Sequence, residues 1–314
     1  MKHLLYNSSA NQLGALTRVL SLIAVVSISF NASAALYVAE DFDYTLSSSV
    51  GGQNGGTGWA GGSSWTTAGG TPTATIVSGL TFNGLQTSGN AVSFDESADT
   101  TSYVQRSFGN TAPANSDLWV SYLFNHSRDT NNGFGDGSLF GHEFRGTGDR
   151  KYFSAPKSTN GFGPFETQVG PTKDEKGQSI FDLAQNQTFL VVSAFNNIDT
   201  PAFSGQTTTS RIWVLSETDF AAVQLAGISE ASLDANNTVF ATHSYQPTFG
   251  APDLPSTDNF RLVMNDGTAV YDEILVGTEI GDVFNTIPEP STYALLFLSG
   301  LLLFVLRGKR KQKS

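Results

Sequence analysis

Four stretches of this chain bring together residue types able to do chemistry. Gly141-His142-Glu143-Phe144-Arg145 sets an imidazole, a carboxylate and a guanidinium within four residues. On a strand, Glu143 and Arg145 share a face and His142 points away, which reads as a cross-strand ion pair beside a surface histidine. The run from Asp129 to Gly137 gathers hard oxygen ligands in Asp129, Asn131 and Asp136. Calcium takes 6 to 8 such oxygens, but the loop lacks a closing bidentate glutamate, and Asn, Asp and Gly also simply build turns. Asp41 and Asp43 alternate as same-face carboxylates, and a retaining glycosidase needs two about 5 Å apart; their place at the edge of the domain favours structural pairing. Trp59 and Trp65 lie in a glycine-rich loop as an exposed pair that could stack on sugar rings, whereas Trp119 and Trp213 sit inside apolar strands and read as core. His126, His142 and His243 have no Gly-x-Ser-x-Gly elbow to complete a serine triad, so no catalytic residue is assigned.

The elements that must position these groups are strands. Short alternating segments separated by Gly, Asn, Asp, Ser and Thr predict strands at Ala74–Val77, Ala91–Phe94, Ser102–Phe108, Asp117–Asn125, Phe189–Phe195, Arg211–Leu215, Phe260–Met264 and Tyr271–Val276. In Asp117–Asn125 the second face is only half polar, as in a strand buried on both sides. Glu217–Ile228 alone carries helical spacing, with Phe220, Val223 and Leu225 roughly on one side. No repeat or change of composition divides residues 36–285, so one all-β sandwich domain is expected there.

Charge and cysteine content exclude several functions. Ten of the 17 basic residues and all 28 acidic residues lie between Leu36 and Pro290, a net charge of −18. Such a surface repels nucleic acid and leaves neutral or cationic partners. The chain has no cysteine, so disulfides, thiolate metal sites and cysteine nucleophiles are ruled out.

Both ends read as targeting segments. Lys2 and Arg18 precede the apolar run Val19–Phe30, and Ala32-Ser33-Ala34 follows it. Residues 1–35 are therefore expected to be a secretory signal peptide, cut by signal peptidase near Ala34 or Ala35. At the other end Pro288 and Pro290 cannot lie inside a helix, Ser291 is a good N-cap, and residues 292–306 form a short apolar helix followed by Arg307, Lys309, Arg310, Lys311 and Lys313. The Tyr293–Leu306 run would span roughly 21 Å of a hydrocarbon layer about 30 Å thick, with the basic cluster kept cytoplasmic.

This order of parts, Pro288-Glu289-Pro290, Ser291-Thr-Tyr-Ala, a leucine-rich helix and a basic end, resembles the PEP-CTERM sorting signal over residues 287–313. It differs in having Ile287 where valine is frequent and in mixing lysine with arginine. The resemblance implies that Pro288, Glu289, Pro290 and Ser291 are the motif processed by an exosortase, that 292–306 is a transient transmembrane helix, and that Arg307, Lys309 and Arg310 stop transfer. It also implies export through the inner membrane to the surface or extracellular matrix of a Gram-negative bacterium that makes exopolysaccharide.

The body carries a second resemblance. Glu40–Trp65, with its acidic-aromatic strand and Gly-Gln-Asn-Gly-Gly-Thr-Gly-Trp turn, and Tyr271–Val283 are similar to the two ends of concanavalin A-like, laminin-G-like jelly rolls. There the first and last strands pair, and a rim site often binds calcium. Hydrolases of this fold carry Glu-x-Asp-x-x-Glu, which this chain lacks. The combined expectation is a non-enzymatic, exosortase-sorted surface protein able to bind glycan such as exopolysaccharide. The alternative is a divergent hydrolase of extracellular polysaccharide.

Overall fold

The computed structural model describes residues 36–69, 73–96, 102–109, 116–127, 138–145, 150–158, 164–169, 177–180, 183–198, 208–245, 259–265 and 267–284. Within them, strands pair antiparallel into two sheets. The first runs in the order β13 (Val239–Tyr245), β12 (Thr208–Leu215), β11 (Phe189–Ile198), β6 (Ser116–Ser127), β15 (Gly267–Gly277), β4 (Asn90–Glu96) and β3 (Thr73–Ser78), with β1 (Leu36–Glu40) also on β15. The second runs β10 (Gly177–Ile180), β9 (Pro164–Val169), β8 (Arg150–Ser158), β7 (Ser138–Arg145), β14 (Asn259–Asn265), β5 (Ser102–Ser107) and β2 (Thr66–Gly69). This is the β-sandwich expected from the alternating pattern, and all eight predicted strands fall on observed ones.

The core follows from period-two alternation. Leu118, Val120, Tyr122 and Phe124 of β6 face the second sheet and join Val191, Phe195, Phe260, Leu262 and Tyr271 in the inner core. The opposite face of the same strand is also covered, because Trp119 and Leu123 pack with Leu190, Trp213, Phe220 and Val223 in an outer core. Trp119 and Trp213 stack with ring centroids 5.9 Å apart.

Helix α1 (Glu217–Ala226) provides much of that outer cover. Ser216 caps it, its hydroxyl accepting from the Asp219 amide at 3.2 Å while the Asp219 carboxylate accepts from the Ser216 amide at 2.9 Å. Phe220 and Val223 are buried, but Leu225 is 89% exposed; at 100° per residue it lies well off their stripe. A second helix, α2 (Glu230–Ala235), was not legible as one because its six residues are too few to show a period.

The first and last strands do pair, Val38 opposite Val276 and Glu40 opposite Ile274. Strands β1 and β4 share one edge of β15, and β15 bulges between them where Asp272 faces Leu123 and Leu275 faces Ser121. Glu273 in the bulge has φ +50°. Past β15 a 3-10 turn at Ile280–Val283 returns to the sheet, with the Ser121 hydroxyl donating to the Val283 carbonyl at 2.5 Å and Phe284 stacked on Phe220.

Candidate functional site

Strand β1 ends at Glu40, whose side chain turns inward with Val38. It is 1% exposed and accepts hydrogen bonds from Trp65 Nε1 at 3.0 Å, the Tyr44 hydroxyl at 3.0 Å, Arg106 Nη1 at 3.0 Å and the Phe42 amide at 3.2 Å. Arg106 also donates to the Gly55 and Asn54 carbonyls and lies 5.1 Å over the Trp59 ring. Burial pushes the Glu40 carboxyl above its ordinary range, against the pull of Trp65, Tyr44 and Arg106. The loop closes on this group only because Gly58, at φ +82°, lets the backbone pass where a Cβ would sit 1.7 Å from the Tyr37 carbonyl.

The expected sugar platform is thereby corrected. Trp65 is fully buried and Trp59 only 9% exposed, the two rings meeting edge to face at 5.1 Å. With the Trp65 indole N–H bonded to Glu40 and the Trp59 face covered by Arg106, neither ring is open to a sugar. Asp41 and Asp43 are not strand neighbours either: the strand has ended, and Phe42 has φ +50°.

On β7 the alternation separates the 141–145 cluster as expected, but with different partners. Glu143 pairs across the strands with Arg261 of β14 at 3.1 Å. Arg261 Nε donates to the Gln105 side chain at 2.7 Å, and its guanidinium lies 4.2 Å over Tyr103. His142 is not at the surface. It is fully buried in the inner core between Tyr122, Phe144, Phe195 and Phe260, and burial depresses its pKa to about 3.

Among the described residues an open arrangement also lies at the seam of β1 and β15. A crevice of about 350 Å³ is lined by Leu36, Asp41, Ser88, Glu273, Asp282 and Phe284, among others. Glu273 accepts from the Ser88 amide, and the Ser88 hydroxyl reaches Asp41 at 3.5 Å. Asp272, just behind, accepts from the Leu80 amide at 2.7 Å and the Glu273 amide at 2.8 Å. Burial first, then the charges of Glu273 and Asp41, push the Asp272 carboxyl up to about 8; burial and Asp41 raise Glu273 as well. In the sequence Asp272 and Glu273 read only as part of a closing strand. Two adjacent carboxylates inside an otherwise apolar strand were the signal that could have marked them.

The calcium candidates Asp129, Asn131 and Asp136 lie outside the described residues, as do the sorting residues Pro288 to Ser291 and Arg307 to Arg310. Among the described residues no group of three or more His, Asp or Glu side chains is arranged to hold a metal, and no helix is long and apolar enough to cross a membrane.

Comparison with known proteins adds a sorting route to the sandwich. Residues 286–311 match the PEP-CTERM protein-sorting motif, which supports export and processing by an exosortase through a membrane-anchored intermediate. No curated protein matches the chain. Among solved structures, a protein of unknown function from Shewanella oneidensis MR-1 is similar at 13% identity, covering 80% of this chain and 93% of that one, with a TM-score of 0.38. The receptor binding domain of botulinum neurotoxin type G is similar at 8% identity over 79% of this chain and 49% of that one, TM-score 0.41. The binding domain of botulinum neurotoxin DC, solved in complex with SialylT, is similar at 9% identity over 81% and 50%, TM-score 0.40. The chain thus spans about half the length of the toxin binding domains.

Proposed function

We propose that this chain is a non-enzymatic component of the cell surface or extracellular matrix of a Gram-negative bacterium, delivered by exosortase sorting and acting through contacts of its β-sandwich with neutral or cationic matrix glycan. The observation that carries this reading is the sorting motif at residues 286–311 attached to the strand-paired body. The chemistry of the body is in keeping with it: Glu40 and Glu143 are each engaged by a buried arginine, and His142 is enclosed by aromatic rings. The test is mass spectrometry of the C-terminal peptide from the native host with and without its exosortase. Enzyme-dependent truncation near Pro288 to Ser291 is expected; an intact Ser314 in both strains overturns the reading.

A second reading, a hydrolase of extracellular polysaccharide, is favoured by the seam crevice, where a carboxyl held protonated near neutral pH lies behind two more. Polysaccharide cleavage by the purified protein that Glu273→Gln or Asp41→Asn abolishes would select it. Glu143→Gln is the matched control, since Glu143 lies away from the crevice and against Arg261.

A further inference from the structure

Among the described residues several buried side-chain polar atoms have no hydrogen-bond partner within the protein, and five of them lie between the sheets: the Tyr122 hydroxyl, both ring nitrogens of His142, and the hydroxyls of Ser193 and Ser210. All four residues are completely buried. Strand register places them together. On the inner face of the first sheet, Val120 is opposite Ser193 and Tyr122 opposite Val191, while Phe195 is opposite Ser210. Tyr122, Ser193 and Ser210 therefore form a diagonal across β6, β11 and β12. From the second sheet, His142 comes down over this diagonal, its ring centroid 5.4 Å from Tyr122 and 6.1 Å from Phe195.

Diagonal neighbours on a sheet stand about 7–8 Å apart, too far for short serine hydroxyls to bond one another and well suited to one small molecule bridging each gap. Leaving all five atoms bare would forfeit free energy comparable to the whole net stability of a domain. Their chemistry also selects the occupant. The imidazole is neutral, offering one donor and one acceptor, and the three hydroxyls both donate and accept. The surrounding inner-face side chains, Val120, Val191, Phe195, Ile212, Phe144 and Phe260, carry no charge. An ion would find no counter-charge among these described side chains, whereas a neutral species that both donates and accepts satisfies every atom.

We infer that Tyr122, His142, Ser193 and Ser210 form an internal binding site for ordered water, a hydrated pocket between the sheets that holds their side chains in register. A buried water makes about three hydrogen bonds, so roughly two molecules serve the five atoms.

Magnetic relaxation dispersion of water ¹⁷O on the full chain in detergent micelles counts long-lived internal waters. The triple variant His142→Phe, Ser193→Ala, Ser210→Ala is expected to lose about two of them, and Ser193→Ala alone, conservative enough to keep the fold, about one with a lowered melting temperature. An unchanged count in the folded single variant, with unchanged or raised melting temperature, would mean a dry interior and overturn the inference. Electron density for anything larger than water between these four side chains would overturn it equally.

Discussion

Glu40 and Arg106, 66 positions apart in sequence, meet as a 3.0 Å ion pair in which neither side chain is more than 4% exposed. The pair ties the first strand of one sheet to β5 of the other and fixes the glycine-rich loop through the Gly55 and Asn54 carbonyls. Such a pair contributes little net stability relative to apolar residues of the same size, but losing one partner strands a buried charge. Glu40→Ala is expected to lower unfolding free energy by about 3–5 kcal/mol in urea titration. Replacing both members by Leu and Met removes the stranded charge but leaves the Trp65 indole N–H unpaired, so it should recover only part of that loss; a double variant less stable than the single one would contradict this account.

Asp272 gives the protein a stability that declines with alkali. Its folded pKa of about 8 lies above the ordinary 3.8, so its contribution is complete below about pH 4 and is lost as pH rises through 8. Glu40 and Glu273 are shifted in the same direction. Asp272→Asn keeps an acceptor for the Leu80 amide without the charge. Its melting temperature should exceed the parent's at pH 9 and the gap should close by pH 4.

His142 acts at the opposite end of the scale. Its folded pKa of about 3 lies below the ordinary 6.5, so the folded state is disfavoured progressively as pH falls from 6.5 toward 3. At about 1.4 kcal/mol per unit, the loss reaches roughly 3–5 kcal/mol. His142→Leu should remove this component, making stability between pH 6.5 and 4 flatter than in the parent by chemical denaturation.

Arg261 satisfies a carboxylate, an amide oxygen and an aromatic face at once, a geometry a lysine ammonium cannot reproduce. Arg261→Lys is expected to cost about 1.5–3 kcal/mol, and a double-mutant cycle with Gln105→Ala should show coupling between the two side chains. Independent, additive effects would argue against the arrangement.

Much of the framework was legible because burial writes itself as alternation. Leu118 to Phe124 mark a strand covered on both faces, whereas the pairing of the first and last strands followed only from the resemblance of their segments to the ends of jelly-roll domains. What escaped depends on contacts distant in sequence. Nothing near Trp65 shows that its indole N–H meets a carboxylate 25 residues away, so a tryptophan among glycines read as exposed. Nothing near His142 shows that Phe195 and Phe260 enclose it. The seam site escaped for a different reason: a one-residue bulge at Glu273 breaks the period-two rule by which its face would be read.

Leu36 and Phe284, where the chain enters and leaves the sandwich, line the same crevice, and Phe284 is moored on Phe220. Four Cα steps then separate Phe284 from Pro288, a leash no longer than about 13–14 Å when fully drawn out. If the cut falls at the Pro-Glu-Pro motif, as proposed above, it lies within that reach of Phe284 and the acidic seam. On that reading the seam end of the body is the one the processing machinery must accommodate, and lengthening the leash by a few glycines would free the cut from the shape of the domain.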